Sequence, residues 1–278
     1  FGAVEASFGT ALALAVAVAL AVLVILLGAS IAGALLRHYG YALGIDGDVL
    51  RSLGGLLTRH EQSVHRAKVQ SFQVVQNAVL RRLRRYRLRL RQATSGRGRT
   101  SSRFDVPLCE RKHLSTVARE VFREEQDGLI LEPDATAFRP ISRFYLRSRI
   151  LLRGVLPALA GLVLALPFGA AALLALLWIP LVALMARLRY RRYGFAVAAD
   201  GMSFRSGLFG WRLIVWLHRK VQRVTLRQSP FQRRRGLATL KFYLAAGSVT
   251  VPFVEYAAAA HLRDYVLYRV ESSHQAWH

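Results

Sequence analysis

Residues 68–82 read KVQSFQVVQNAVLRR, and residues 220–234 read KVQRVTLRQSPFQRR. Both open on Lys-Val-Gln, both carry a glutamine at the same place (Gln76, Gln228), and both close on an arginine pair, Arg81-Arg82 and Arg233-Arg234. A shift of 152 residues relates them, and it holds without a gap outward from Tyr41 to Ala93. Tyr41, Asp48, Gly55 and Leu56 fall on Tyr193, Asp200, Gly207 and Leu208, while Leu88 and Ala93 fall on Leu240 and Ala245. Past a longer loop in the first copy, Val106-Pro107-Leu108 answers Val251-Pro252-Phe253 with the shift reduced to 145. The chain is an internal repeat, and one copy's fold predicts the other's.

Each copy reads as short strands followed by one helix. In the second copy Phe195–Ala198, Met202–Arg205 and Trp211–Leu217 are β-favouring runs separated by Gly201, Gly207 and Gly210. Val221–Leu226 and Leu240–Leu244 continue the pattern. In the first copy Arg87-Leu88-Arg89-Leu90-Arg91 alternates strictly, so a strand buries both leucines and displays the arginines on the other face. Helices are predicted over Arg111–Glu124 and Tyr256–Val270, with Ala258, His261, Leu262 and Tyr265 on the face that closes the module.

The rest of the chain is apolar. Thr10–Leu36 has no charged residue, which is long enough for a spanning helix, and its leader holds only Glu5 rather than the basic residues of a signal peptide. Gly154–Ala186 is uncharged over 33 residues, with Pro167-Phe168-Gly169 near the middle. Pro and Gly favour a reversal there, hence a hairpin of two helices, 154–167 and 170–187; one long tilted helix is the alternative. Arg37 follows the first block, Arg143, Arg147, Arg149 and Arg153 precede the second, and Arg187, Arg189, Arg191 and Arg192 follow it. The positive-inside bias then puts both soluble parts in the cytoplasm and predicts a multi-pass protein of the inner membrane. The expected layout is a helix over 1–36, a module over 37–126, a linker over 127–153, a hairpin over 154–187 and a second module over 188–278.

The order Gly-Leu-Leu-Thr-Arg (55–59), Lys-Val-Gln-Ser (68–71), a glutamine, an arginine pair, then a Val-Pro strand and a helix resembles the bacterial pleckstrin-homology-like (PH-like) membrane proteins of the YdbS/YdbT type. The resemblance covers about 37–126 and 187–271. It implies an α plus β membrane protein: one transmembrane helix plus a hairpin, and two small PH-like modules, each a seven-stranded β-barrel capped by a C-terminal helix. Paired helices precede the module in that family, whereas one precedes the first copy here. With Phe1 in place of an initiator Met, this leads us to expect a missing upstream segment.

The chain offers no catalytic constellation. His60-Glu61 and His65 approach a zinc-protease motif, but the histidines stand five apart instead of four. Glu120, Glu124 and Glu125 read as the solvated face of a helix, Asp200-Gly201 as a turn, and Cys109 as a small packed side chain that excludes an intrachain disulfide. No enzyme activity, cofactor or metal is expected.

What remains is charge. The formal net charge is +24, from 40 Lys and Arg against 16 Asp and Glu. It concentrates in Arg81, Arg82, Arg84, Arg85, Arg87, Arg89 and Arg91, and in Arg233, Arg234 and Arg235. These are the candidate surface for anionic lipid headgroups or a protein partner, read either as general apposition to the membrane or as a selective lipid pocket. Membrane tethering already accounts for the charge, so nucleic acid is not expected. Sequence reasoning therefore points to a non-enzymatic, membrane-anchored binding protein within a larger envelope assembly or a homo-oligomer. The contrasting class is a helix-based transporter or envelope-biogenesis component, with the modules as scaffolds; the two apolar blocks contain none of the ionisable residues transport would favour.

Overall fold

The computed structural model describes residues 2–93, 103–123, 128–133 and 135–272. Two compact units divide the chain, residues 1–63 and 64–278.

In the first unit, helix α1 (Gly2–His38) contains the predicted apolar block and ends on Arg37 and His38, basic residues that suit a helix C-terminus. Strands β1 (Ala42–Asp46) and β2 (Val49–Gly54) form a hairpin, and β3 (His60–His65) completes an antiparallel sheet. The β2–β3 turn is tied back to α1: Gly55 N donates to Tyr39 O at 2.9 Å and Leu56 N to Leu36 O at 2.8 Å.

The second unit begins with β4 (Val69–Gln76), a short helix α2 (Ala78–Arg82), β5 (Arg85–Gln92) and β6 (Arg103–Glu110), then α3 (Arg111–Phe122). Leu88 and Leu90 are fully buried on β5 and the arginines between them half-exposed, as the alternation predicts. After a two-residue strand β7 (Arg139–Pro140) come the helical arms. The first arm runs α4 (Phe144–Ile150), a π turn (Leu151–Val155) and α5 (Leu156–Leu164) as one rod. A 3-10 stretch (Leu166–Leu177) breaks at Gly169, and α6 (Trp178–Arg192) returns.

The arms are antiparallel, so the hairpin stands and the single tilted helix does not. Trp178 Nε1 donates to Arg153 O at 2.7 Å, and Gly154 and Gly161 lie against Val182 and Ala175. Small side chains here let two backbones approach closely. The predicted bounds were too narrow, because the arms reach Phe144 and Arg192: both ends are helices whose arginines interrupt the apolar run without interrupting the helix.

The second copy follows as β8 (Gly194–Val197), β9 (Gly201–Ser206), β10 (Trp211–Leu217), β11 (Val221–Arg227), α7 (Pro230–Arg233), β12 (Leu237–Leu244), β13 (Gly247–Glu255) and α8 (Tyr256–Glu271). Its core gathers Met202, Phe204, Trp216, Leu240, Phe242 and Val251 under Ala259, Leu262 and Val266 of α8. The predicted closing face is therefore shifted, since Ala258 and His261 are exposed.

Among the described residues each copy contributes six principal strands, β1 to β6 and β8 to β13, where the resemblance implies seven. A seven-stranded sheet does exist, but it is composite, in the order β6-β5-β4-β10-β9-β8-β7. The central strand of this sheet, β10 of the second copy, pairs antiparallel with β4 of the first, from Trp211↔Gln76 to Val215↔Phe72. Gly210 permits the approach: a Cβ there would stand 1.8 Å from Gln76 O. The first copy carries Thr58 at the corresponding position, so the joint is one-way. In the second copy β11, the counterpart of β4, is a sheet edge with Gln222, Arg223 and Arg227 exposed. Charges on an edge strand discourage further pairing.

The repeat extends to backbone detail. Gly55 and Gly207 both have positive φ, and a Cβ on either would lie about 2 Å from the carbonyl oxygen three residues on. Bulges fall at Val69/Ser71 and Tyr86/Leu88, and again at Val221/Arg223 and Ala238/Leu240. Asn77 caps α2 by accepting from Leu80 N, and Ser229 caps α7 by accepting from Gln232 N. Helix docking is conserved in place but not in chemistry: Arg66 pairs with Glu120 on α3 at 2.9 Å, whereas His218 meets Tyr265 on α8 edge-on, with ring centres 5.6 Å apart. Glu120 is thus an ion-pair partner on a face that stays partly solvated; Glu124 and Glu125 lie outside the described residues.

One position breaks the symmetry. Gly236 has φ +59, and its counterpart Arg84 has φ +52. A left-handed conformation costs an L-residue about 1–2 kcal/mol, partly offset by the greater chain entropy of glycine. Arg84→Gly should therefore raise stability by about 0.5–1 kcal/mol, read from the urea midpoint, and Gly236→Arg should lower it.

Candidate membrane-facing site

The two short helices bring the predicted arginines to the ends of the strands. Arg81, Arg82 and Arg84 are exposed at α2, and Arg233, Arg234 and Arg235 at α7. The strand arginines behave differently. Arg85 pairs with Glu110, Arg89 with Asp105 at 3.4 Å, and Arg91 Nη1 donates to Ala246 O at 3.3 Å in the second copy. Arg87 is half-exposed on the same face. The run Arg81–Arg91 is thus two groups: an exposed tip, and a strand whose arginines are mostly engaged within the fold. Glu110, held by Lys112 and Arg85, has its carboxyl lowered to about 2.

Sequence reasoning missed the apolar partners of these arginines. Val79 on α2 and Phe231 on α7 occupy corresponding positions and are 65% and 54% exposed. Leu83 beside Arg84 is also exposed. Each tip therefore combines an apolar side chain with arginines, the composition of a membrane interface. The β2–β3 turn of the first copy exposes Leu56 and Leu57 against the end of α1. In the second copy Phe209 is exposed in the equivalent turn, between β9 and β10, and Arg192 holds that turn, donating to Leu208 O and to Gly210 O at 2.9 Å.

Both tips lie at the foot of the hairpin. Arg81 is close enough to Arg192, the last residue of α6, for the two charges to repel. Arg235 stacks on Phe144, the first residue of α4, 5.5 Å from the ring centre. Tyr145, Phe253 and Leu237 bury the foot against β12 and β13, with Ser142 N donating to Phe253 O at 2.9 Å. The arginine tips, the β9–β10 turn and the feet of both arms therefore converge.

His60, Glu61 and His65 are exposed on β3, and their odd spacing puts the histidines on opposite faces of the strand. Among the described residues no group of three or more potential metal-ligating side chains forms. Burial raises the Cys109 thiol to about 11, and also pushes the His218 imidazole below its ordinary range while Nε2 contacts Ala198 O at 3.1 Å.

A repeated two-sheet module closed by a C-terminal helix, with basic and apolar tips and apolar helices beside it, defines a pair of PH-like binding modules. The sequence model of the bacterial PH domain family matches residues 8–125 and again 144–270. The chain belongs to the bacterial PH domain family, whose modules serve binding and scaffolding. The first match takes in most of α1, and the second takes in both arms of the hairpin. No curated protein matches the chain. Two of its helices, Leu14–His38 and Leu173–Arg192, are long and apolar enough to cross a membrane.

Proposed function

We propose that this protein is a non-enzymatic, membrane-anchored adaptor of the inner membrane. Its helices sit in the bilayer, and its two modules rest on the cytoplasmic leaflet through anionic headgroups. The observation that carries this reading is the convergence of both arginine tips on the foot of the hairpin. Where α4 and α6 leave the hydrocarbon, Arg81, Arg82, Arg233 and Arg234 stand at headgroup level, and Val79 and Phe231 reach the acyl boundary. Each such arginine contributes about 1 kcal/mol near an anionic leaflet. The strand arginines Arg85, Arg89 and Arg91 act mainly inside the fold, so the headgroup surface is narrower than the full basic run. A protein partner is the second reading, favoured by the exposed apolar side chains Val79, Leu83 and Phe231 at the tips.

An environment-sensitive fluorophore on Val79→Cys or Phe231→Cys tests the proposal in the full chain. In nanodiscs containing phosphatidylglycerol the label should shift to the blue. The shift should fade in phosphatidylcholine, and in salt as the Debye length falls from about 10 Å at 0.1 M to about 3 Å at 1 M. Water-exposed emission from both sites in every disc refutes the proposal.

A further inference from the structure

A separate cleft opens on the side of the hairpin foot, between α4 and α6. It encloses about 660 Å3, is floored by Leu146, Ile150, Ala183 and Leu184, and is rimmed by Arg143, Arg187, Arg191 and Tyr190. Arg187 and Arg191 stand one turn apart on α6, so their side chains rise on the same face. Arg143 comes from the opposite arm, immediately before α4. All three guanidinium groups are exposed, and among the described residues none is paired with a carboxylate. This sets them apart from Arg66, Arg85, Arg89 and Arg269, each of which has an acidic partner.

Three like charges around one apolar cleft repel one another until an anion joins them. The cleft lies where α6, a helix able to cross a membrane, passes from apolar to basic sequence. An occupant must therefore be anionic at one end and hydrocarbon at the other. We infer that the cleft binds one anionic phospholipid, its phosphate diester bridging Arg143, Arg187 and Arg191 and the upper part of its acyl chains lying along Leu146, Ile150 and Leu184. Guanidinium groups grip phosphate oxygens in a bidentate fork, and basic pockets between membrane helices suit such headgroups. The site rests on the membrane reading above but differs from the tips in kind: the tips sense surface charge, and the cleft holds a single molecule.

Native mass spectrometry of the full chain, released from nanodiscs of mixed phosphatidylglycerol and phosphatidylcholine, reads the site directly. One retained phosphatidylglycerol per chain is expected. Arg187→Gln with Arg191→Gln should lower the retained fraction about tenfold, equivalent to about 1.4 kcal/mol, whereas Arg81→Gln, Arg82→Gln and Arg84→Gln together should leave it unchanged. Both variants replace exposed side chains, and their helical circular dichroism should match the parent. Three outcomes overturn the cleft: no retained lipid on the parent chain, retention that survives the Arg187/Arg191 exchange, or displacement by millimolar inorganic phosphate. The fluorophore at Val79 or Phe231 reports on the surface reading independently, so either proposal can fail while the other stands.

Discussion

A chain carrying Gly210→Val is expected to lose the joint between its two copies. A Cβ at this position would lie 1.8 Å from Gln76 O and 2.8 Å from Asn77 Cα, both backbone atoms that cannot swing aside. The side chain can be accommodated only by drawing β10 away from β4, which breaks the register from Trp211↔Gln76 onward. Ser71, Gln73 and Gln76 are buried in the intact sheet. Overpacking costs about 1–3 kcal/mol and each buried backbone group left unpaired a similar amount, so a loss of at least about 3 kcal/mol is expected. A disulfide between Val75→Cys and Arg212→Cys, which face each other across the joint, should form in the parent and fail in the Gly210→Val chain. Cys109 will not compete, because burial keeps it a thiol. Efficient cross-linking in both chains would show that the joint tolerates the side chain.

Phe253→Ala should be nearly as damaging, for a different reason. The ring lies 5.6 Å from that of Tyr145 and 6.2 Å from that of Phe144, and it fastens the foot of the first arm to β13. Removing a buried phenyl costs about 3–5 kcal/mol. Phe253 also has φ +56, which disfavours alanine as much as phenylalanine but suits glycine. Phe253→Gly should therefore be more stable than Phe253→Ala by about 1 kcal/mol, the reverse of the usual order in a strand. Urea denaturation of the three proteins in one detergent gives the ranking, and alanine above glycine would remove the backbone from the explanation.

The repeat was legible in the sequence because identities such as Lys68/Lys220 and Gln76/Gln228 sit at turns and caps, where side chains answer to the local backbone. The composite sheet was not, since β4 and β11 share their opening Val-Gln and the glutamine that follows, and the second neighbour of β4, β10, comes from a distant part of the chain. A trace was present all the same: Ser71 and Val75 in the interior strand β4 correspond to Arg223 and Arg227 at the edge. The hairpin was visible from Pro167 and Gly169, but its true ends were hidden by arginines that a helix accepts and an apolar-run criterion does not. The arginine tips were legible as charge alone. Their apolar halves, Val79 and Phe231, carried no signal, because an isolated Val or Phe in sequence says nothing about exposure.

The pairing of β4 with β10 also sets an order of events during synthesis. Residues 69–76 leave the ribosome long before residues 211–217, and the hairpin arms emerge between them. The first copy therefore cannot finish its sheet until the arms and most of the second copy have been made. Contacts this distant along the chain form slowly. Until they do, β4 presents an unguarded edge without the charges that protect β11, so a nascent chain stalled between residues 92 and 211 is the form of this protein most exposed to aggregation.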